Sequence, residues 1–329
     1  MLSALTKNNP ILQEKAEQQM EISRGKRLWN GFWQIADPKI WIASTVPMAV
    51  GAALSYAYQN SFRWGWFLTG AAAVYLLEIG KNAINEYVDY LTGVDRYVTG
   101  DKRTPFSGGK KTIIDGVLTL KENLVIGIVT ILIGCLLGLY IVLVREFFVF
   151  WVGLAGVFFA LFYSLPPFQF AYRGFGEPIV GLTFGPMITI GTFLVQTHTV
   201  TAQVIIASIP LGFLIANVLW INQYPDYEAD LKGGKMNGVV RLGKKKGITV
   251  YALLFIFAYL FIIILSLFSR NPFWLLVFIS VPMAARAVAV ARRHYDNIPQ
   301  LVEANAKTVQ IYQLTGLVMV AAALLPIIL

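Results

Sequence analysis

The chain has 329 residues, of which 57% are hydrophobic and 14% are charged. Soluble domains carry about 25% charged residues, so this composition excludes a disordered chain, a coiled coil, a secreted disulfide scaffold and a soluble globule. An integral membrane protein that crosses the bilayer many times remains. The net charge of +9 then indicates cytoplasmic loops rich in Lys and Arg rather than a nucleic-acid-binding surface.

Cysteine and histidine are scarce in the sequence. The single cysteine, Cys135, lies in an apolar run, which excludes a disulfide framework and a cysteine-based zinc site. The two histidines, His198 and His294, are far apart along the chain and argue against a histidine-rich metal site.

The N-terminal stretch is polar up to residue 37. The letters EISRGKR stand just before NGFWQIADPKIW, whose Trp side chains suit the headgroup region of a bilayer. The stretch lacks the apolar segment and the cleavage site of a signal peptide. We therefore expect a cytoplasmic tail and an interfacial segment over residues 1–37, followed by a transmembrane domain over residues 38–329.

Beyond this stretch, long apolar segments recur to the end of the chain. A helix needs about 20 mostly apolar residues to cross the hydrocarbon core. The sequence predicts an all-α integral membrane protein, a bundle of nine transmembrane helices. The predicted spans are 40–58, 64–84, 122–143, 147–165, 178–196, 203–221, 249–268, 273–291 and 309–328.

The basic residues sort to one side of these nine spans. Lys and Arg concentrate in the N-terminal stretch and in the connections after the second, sixth and eighth spans. The opposite side has only Arg63, Arg145 and Arg270. The positive-inside rule then predicts a multi-pass protein of the cell (cytoplasmic) membrane, with a cytoplasmic N-terminus and a C-terminus outside.

The connections after spans 2 and 6, residues 81–111 and 221–246, are long and cytoplasmic in this topology, and each carries a polar stripe. In the first, Asn82, Asn85 and Asp89 share one helical face, because their spacing is i, i+3, i+7. Lys81 borders that face, and Asp95 follows a break at Gly93.

The second connection repeats this pattern. Asn222, Asp226 and Asp230 have the spacing i, i+4, i+8, which also makes a single stripe. Pro225 could kink this helix or restart it. The recurrence predicts two related halves that face each other across the bundle.

Two carboxylate clusters followed by basic residues suit a particular chemistry. Mg²⁺ prefers hard oxygen ligands and binds through one or two carboxylates together with substrate phosphates. Two clusters could hold two Mg²⁺ ions with a pyrophosphate between them, and the Lys and Arg residues could hold its outer oxygens. An isoprenoid diphosphate, with an apolar tail in the bilayer and a charged head at its surface, fits that site.

At these residues the sequence resembles the UbiA superfamily of intramembrane prenyltransferases. Its first motif, in the longer form of the naphthoate branch, resembles NEYVDYLTGVD at 85–95, and its second, Asp-x-x-x-Asp, resembles DYEAD at 226–230. A third similarity, to menaquinone-type enzymes, lies in FYSLPPFQFAYRGFGEP at 162–178. The resemblance covers roughly residues 35–329.

The resemblance implies a helical bundle around a central cavity that cytoplasmic loops cap, and a function in menaquinone biosynthesis. A polyprenyl diphosphate would ionise and an aromatic acceptor, 1,4-dihydroxy-2-naphthoate, would attack the cation. The implied metal ligands, for two Mg²⁺ ions, are Asn85, Asp89, Asp95, Asp226 and Asp230, and the four aspartates are the implied catalytic residues. The implied substrate-binding residues are Lys81, Asn222, Arg103, Lys235, Tyr163 and Arg173.

Two stretches depart from the family pattern. Glu86 replaces the usual Asp after the motif Asn, and Gly-Lys-Met-Asn-Gly at 234–238 replaces the usual Gly-Lys-Arg-Thr-Leu, which leaves Lys235 as the lone basic residue there. The segment RTPFSGGKK at 103–111 could be a lid over the diphosphate or a plain solvated loop.

Other functions stay open at this point. Within the superfamily, the acceptor could instead be 4-hydroxybenzoate, homogentisate or a glycerol phosphate lipid. A secondary transporter also combines paired halves with polar residues at broken helices. Transport sites lie near the bilayer midplane, whereas these acids are predicted at cytoplasmic helix ends. Few ionisable residues lie mid-span, and Glu78 is an exception.

Overall fold

The structure is a computed structural model that describes residues 10–98, 104–107 and 109–329, with side chains from Ser23 onward. Within these ranges all regular structure is helical, and no strand occurs. Short 3₁₀ turns at Val94–Tyr97 and Phe170–Tyr172 lie in the connections. The helices are α1 Pro10–Ala36, α2 Ile42–Gln59, α3 Trp64–Thr92, α4 Leu120–Val144, α5 Val149–Phe162, α6 Gly176–Thr197, α7 Ala202–Lys232, α8 Gly238–Leu242, α9 Lys244–Ser269, α10 Pro272–His294 and α11 Ile298–Ile328.

A helix lies at each of the nine predicted spans, but their capacity to cross a membrane differs. Among the described residues, the six helices α4, α6, α7, α9, α10 and α11 are long and apolar enough for a membrane span. Helix α5 is apolar but short, and α2 and α3 do not reach the same apolar length. The protein is therefore a multi-pass membrane protein with at least these six candidate spans, and the count of nine remains a prediction.

The two long connections differ in structure. The one predicted over 221–246 is mostly helical, because α7 continues through Pro225 to Lys232 and the short α8 and then α9 follow closely. Pro225 therefore neither restarts the helix nor ends it. The first connection is helical up to Thr92, where α3 ends. Gly93 takes a left-handed conformation (φ 82°), and α4 begins at Leu120, with no α-helix among the described residues between them.

Buried apolar side chains form one large core in the second half of the chain. It joins α7, α9, α10 and α11 with α2, and includes the fully buried Leu211, Ile262, Trp274 and Ile311. A small separate cluster packs the end of α1 against α3 and the start of α4. The predicted interfacial segment thus ends in a helix that packs on the bundle, with Ile35 fully buried. The boundary at residue 37 between tail and membrane domain stays a prediction.

Candidate active site

The first acidic motif occupies the last turns of α3. Asn85 and Asp89 are one turn apart, and the Asn85 amide donates a hydrogen bond to Asp89 Oδ2 at 2.9 Å. Ser164, which follows α5, donates to Asn85 Oδ1 at 2.8 Å. These bonds fix the amide orientation and aim both side chains at the same side of the helix.

Asp89 is the point where three distant segments meet. Tyr172 donates its hydroxyl to Asp89 Oδ1 at 2.5 Å. Lys235, which follows the second motif, donates to Asp89 Oδ2 at 3.0 Å. The Lys235 ammonium also lies 5.4 Å from the centre of the Tyr172 ring, within the range of a cation–π contact. Asp89 is 5% exposed, so its charge is compensated by these donors rather than by water.

The last acid of the first motif is held separately. Asp95 lies in the 3₁₀ turn after α3, and Lys111 donates to its carboxylate at 2.8 Å and to its carbonyl oxygen at 3.0 Å. Both side chains are almost fully buried. This pair anchors the far end of the long connection to its beginning.

The second acidic motif occupies the last turns of α7. Asn237 donates to Asp230 Oδ2 at 2.7 Å and caps α8 by accepting from Val240 N–H at 2.9 Å. Asp226 lies one turn before Asp230 and is partly buried. At the start of the stripe, Asn305 on α11 donates to Asn222 Oδ1 at 2.7 Å. The stripe is therefore supported at both ends.

The segment 162–178 joins the two motifs. Glu177 accepts from Gly238 N–H at 2.8 Å, and Met236 N–H donates to the Tyr172 carbonyl at 3.1 Å. The motifs also touch directly, because a β-carbon on Gly233 would lie 2.3 Å from Val94 Cγ2. Only glycine permits this approach, so the ends of α3 and α7 form one site.

The charges at this site are coupled. Burial by itself lowers the pKa of Lys235, but Asp89 and Asp230 outweigh that effect and hold it well above its ordinary value. Burial, and then the charge of Asp89, raise the pKa of Asp95 against the opposing effect of Lys111. The site thus concentrates negative charge in surroundings that disfavour it, with lysines as the compensating cations.

The carboxylate and amide oxygens at this site are the kind of ligands that Mg²⁺ binds. Among the described residues, no three Asp, Glu, His or Cys side chains lie close enough to hold one ion by themselves. Mg²⁺, however, commonly binds through one or two carboxylates and is completed by water and substrate phosphates. Aspartates on two facing helix ends, with an amide beside Asp89, offer that kind of incomplete oxygen site.

A long apolar cavity of about 390 Å³ lies beside the motifs, between α2, α3, α4, α5 and α6. At one end, nearest the motifs, it is lined by Lys81, Tyr163 and Glu78, and at the other by Gln196. The Lys81 ammonium lies 5.4 Å from the centre of the Tyr163 ring. The exposed side chain of Leu139 also lines the cavity, so the cavity opens to the lipid-facing surface.

The structure brings together most, but not all, of the expected site residues. Arg103 lies outside the described residues. The Arg173 side chain is exposed to solvent, although its neighbour Tyr172 reaches the site. Asn82 is turned away, since it donates to the Ile35 carbonyl of α1 at 3.3 Å. The stripe on α3 is therefore narrower than its spacing predicts.

Glu86, which replaces a family aspartate, is also turned away from Asp89. It accepts from the Thr112 hydroxyl at 2.7 Å and from Ile113 N–H at 3.0 Å, both in the long connection. Its role in this structure is to hold that connection. In the segment 103–111, Lys110 pairs with Asp37, so its described C-terminal end is anchored rather than freely solvated.

Sequence reasoning missed several residues that hold the acids. Tyr172 stands in the segment singled out for its similarity, one position before the chosen Arg173. Lys111 and Asn237 lie in the two long connections, 81–111 and 221–246. Asn305, which binds Asn222, had no sequence signal, because it is one of several polar residues at the start of α11 and belongs to no motif. Nothing in the spacing indicates which of these side chains reaches an acid.

Comparison with known proteins agrees with this site. The family model described as "UbiA prenyltransferase family" matches residues 44–314. The chain is 30% identical over 257 residues to the 1,4-dihydroxy-2-naphthoate octaprenyltransferase of Bacillus subtilis, which covers 78% of this chain and 80% of that protein. It is 26% identical over 296 residues to the 2-carboxy-1,4-naphthoquinone phytyltransferase of Synechocystis, which covers 86% of this chain and 90% of that protein.

A solved structure shares the fold. It is a UbiA homolog from Archaeoglobus fulgidus bound to GPP and Mg²⁺, with a TM-score of 0.61 at 15% identity over 91% of this chain and 100% of that one. Fold and site together define a membrane-bound prenyltransferase. The chain belongs to the UbiA prenyltransferase family.

Proposed function

We propose that this protein transfers a polyprenyl group from an isoprenoid diphosphate to 1,4-dihydroxy-2-naphthoate, the prenylation step of menaquinone biosynthesis. One observation carries the proposal: Lys235, from the loop behind the second acidic motif, binds Asp89 of the first, beside the polar end of an apolar cavity. A substrate with a charged head and a long apolar tail matches that arrangement.

Asn85, Asp89 and Asp95 would hold one Mg²⁺ and Asp226 and Asp230 a second, each completed by oxygens of the diphosphate. When bound, Mg²⁺ neutralises the charge that builds on the departing diphosphate. Lys235 lies between the two motifs and would donate charge-assisted hydrogen bonds to the outer diphosphate oxygens. Arg103 is proposed for the same role, and Asn222 supports the second motif.

The apolar cavity would hold the prenyl chain. Its open side toward the lipid allows a long chain to enter from the bilayer and to extend beyond the bundle. At its polar end, the Tyr163 ring would face the allylic carbon and stabilise developing positive charge. Lys81, at 5.4 Å from that ring, would bind a diphosphate oxygen. Arg173 is proposed to act at the cytoplasmic entrance.

The choice of acceptor rests on the similar proteins, because the relative of Bacillus subtilis is named for 1,4-dihydroxy-2-naphthoate. We also propose that all nine apolar helices cross the membrane, which sets the N-terminus in the cytoplasm and the C-terminus outside. Under this orientation the helix ends that carry the motifs, and the segment 162–178, face the cytoplasm. The soluble naphthoate would then reach the site from that side.

The function is tested by pyrophosphate release from purified protein in lipid. The reaction contains a polyprenyl diphosphate, 1,4-dihydroxy-2-naphthoate and Mg²⁺, with EDTA and no-acceptor controls. We expect release only when all three are present, together with a prenylated naphthoquinol by mass spectrometry. If product forms from 4-hydroxybenzoate or homogentisate but not from dihydroxynaphthoate, the compound that reacts replaces dihydroxynaphthoate as the proposed acceptor. Failure of folded protein to release pyrophosphate with any acceptor would overturn the proposal.

A further inference from the structure

Glu78 is a buried carboxylate that the proposed reaction has so far left without a role. It lies inside α3, within the membrane bundle, and is 5% exposed. An ionisable side chain at such a depth is costly unless it is paired. Among the described residues it makes no ion pair, and its one hydrogen bond comes from the Ser44 hydroxyl at 2.5 Å to Oε2.

The other carboxylate oxygen is available to a ligand. Oε1 accepts no hydrogen bond from the described residues, and Glu78 lines the polar end of the apolar cavity with Ser44, Lys81 and Tyr163. If Glu78 only linked α2 to α3 through Ser44, a neutral glutamine at this position would accept the same hydrogen bond. The free oxygen at the cavity wall therefore points to a ligand that donates a hydrogen bond.

The position of Glu78 along α3 relates it to the diphosphate site. It precedes Asn85 by two turns on the same helix, a separation of about 10 Å along the axis. That separation leaves room for an aromatic ring between the proposed diphosphate and the carboxylate. An isoprenoid chain has no hydrogen-bond donor, so the donor that reaches Oε1 must belong to the other substrate.

On the basis of the proposed function, we infer that Glu78 binds a ring hydroxyl of the aromatic acceptor and is the general base of prenyl transfer. As the allylic C–O bond breaks, its electron pair leaves with the diphosphate, and the ring carbon beside the hydroxyl forms the new bond to the prenyl carbon. The hydroxyl proton passes to Glu78 as its O–H electron pair makes a ring ketone. The attacked carbon then loses its substituent, either CO₂ or a proton that the released diphosphate takes up. The electron pair left behind restores the aromatic ring, the ketone becomes an oxyanion, and Glu78 returns its proton to that oxygen.

The test is Glu78→Gln in the full chain, in lipid, assayed with a polyprenyl diphosphate, dihydroxynaphthoate and Mg²⁺. Glutamine can still accept the Ser44 hydrogen bond but cannot take a proton. We expect kcat to fall by about 10²- to 10⁴-fold, the range for loss of a general base, with the KM for the prenyl diphosphate unchanged. The control is Glu146→Gln, another buried glutamate, which binds His198 at 2.6 Å and does not line the cavity. It should retain activity within about twofold of wild type.

The pH profile separates a base from a structural residue. The charged and titratable groups nearest to Glu78 are Lys81 on its own helix, Asp37 and Lys110 beside α1, and Tyr312 on α11. Wild-type kcat should rise with pH to a plateau when the base is deprotonated. In Glu78→Gln the rate should keep rising from about pH 7 to pH 9, because the acceptor hydroxyl ionises in solution. The ratio of the wild-type rate to the variant rate should therefore fall as pH rises.

Glu78→Asp provides a second variant if the glutamine protein is unstable. Aspartate keeps the carboxylate but is shorter by one methylene, so the carboxylate lies further from the acceptor hydroxyl. This variant should recover part of the activity and show the wild-type form of the pH profile. The inference is overturned if Glu78→Gln retains wild-type kcat, if only the KM for the prenyl diphosphate changes, or if the defect is the same at every pH. An inactive wild-type protein would instead reject the proposed function.

Discussion

The two halves of the bundle carry similar acidic motifs but are packed differently. Helices α3 to α6 surround a cavity that opens to the lipid, whereas α7 to α11 pack on one another around a continuous core. The helix that carries the first motif therefore lines the apolar cavity, whereas α7 contributes buried side chains to the core. Under the proposed function, both motifs would bind metal, and the cavity beside the α3 motif would hold the prenyl chain.

The motifs also differ in their partners. Asp89 is bound by a tyrosine hydroxyl and an ammonium from other segments, whereas Asp230 is bound by the neutral amide of Asn237. Asp89 is thus bound by donors from distant segments and Asp230 by a donor seven residues further along the chain, while Asn222 of the second stripe is bound by α11. If the two are nevertheless equivalent in catalysis, removal of either charge should have the same effect.

The largest effect is expected from Asp89→Asn and Asp226→Asn, each assayed by pyrophosphate release. Each should lower kcat/KM by at least about 100-fold, since asparagine keeps the shape but not the charge that a hard cation needs. Asp296→Asn, which changes an exposed carboxylate that lies 3.3 Å from Lys244, serves as control and should stay within about twofold. Near-normal activity of one of the two motif variants would show that the halves are not equivalent.

The second prediction concerns the cation that joins the halves. Lys235→Met should raise the KM for the prenyl diphosphate by about 10- to 100-fold, because a hydrogen bond to a charged group is worth about 1.5–3 kcal/mol. Lys235→Arg should keep most of the affinity. Lys111→Met, which removes the lysine bound to Asp95 within the first half, is the comparison and should raise this KM less.

Lys235 also gives a prediction for how activity depends on pH. The pKa of Lys235 is raised, so the stability that its charge contributes is fully present below the ordinary lysine pKa of about 10.4 and is lost only as pH rises through the higher folded value. The defect of Lys235→Met should therefore be constant between about pH 6 and pH 9. A defect that disappears toward pH 9 would contradict a permanently charged Lys235.

Some of this arrangement could be predicted from the sequence and some could not. The spacing of Asn85 with Asp89, and of Asp226 with Asp230, indicates helical neighbours, and both pairs lie on helix ends. The bond between Lys235 and Asp89 depends on how two helices approach each other. No local pattern contains that information.

The same limit explains why the spacing predicts a wider polar stripe on α3 than the structure shows. Asn82 is three residues before Asn85, a spacing that places two side chains within reach but does not make them face the same neighbour. The packing of α1 decides the direction of Asn82. The helical stripe of Asn222, Asp226 and Asp230 was predicted from its spacing and lies on α7, whereas the continuation of the helix through Pro225 without a restart could not be predicted, because proline is typical of a break.

The contact between the motifs can be tested directly. Gly233→Ala would bring a β-carbon against Val94, and an overpacked contact of this kind costs about 1–3 kcal/mol. We expect the ends of α3 and α7 to separate and the activity to fall by about tenfold. The double variant Gly233→Ala with Val94→Ala should recover much of the loss. An unchanged Gly233→Ala protein would mean that the site tolerates separation of the halves.

The difference in packing predicts opposite responses to larger side chains. Gly153 lines the cavity and a β-carbon there meets nothing within 4 Å, so Gly153→Leu should leave thermal stability nearly unchanged and favour shorter prenyl donors. Ala304 is fully buried in the core of the second half, and Ala304→Leu should destabilise the protein by about 1–3 kcal/mol. Gly65→Leu, at an exposed glycine outside the cavity, controls for substitution in a helix. The donor preference of Gly153→Leu is measured with a series of prenyl donors of increasing length, and the stability of all three variants is measured by thermal unfolding.

The smallest effect is expected where α1 supports the long connection of the first half. Arg27 donates to Val117 O at 2.7 Å and to both oxygens of Glu122 at 2.9 and 2.6 Å. The pair is partly exposed, and exposed ion pairs contribute little and are screened by salt. Arg27→Gln should therefore stay within about twofold of wild-type activity at low salt and match it at high salt, with Lys26→Gln as the exposed control. A loss as large as that of Lys235→Met would mean that α1 holds the first motif in place, and the first half would then depend on a helix outside the segment that the family model matches.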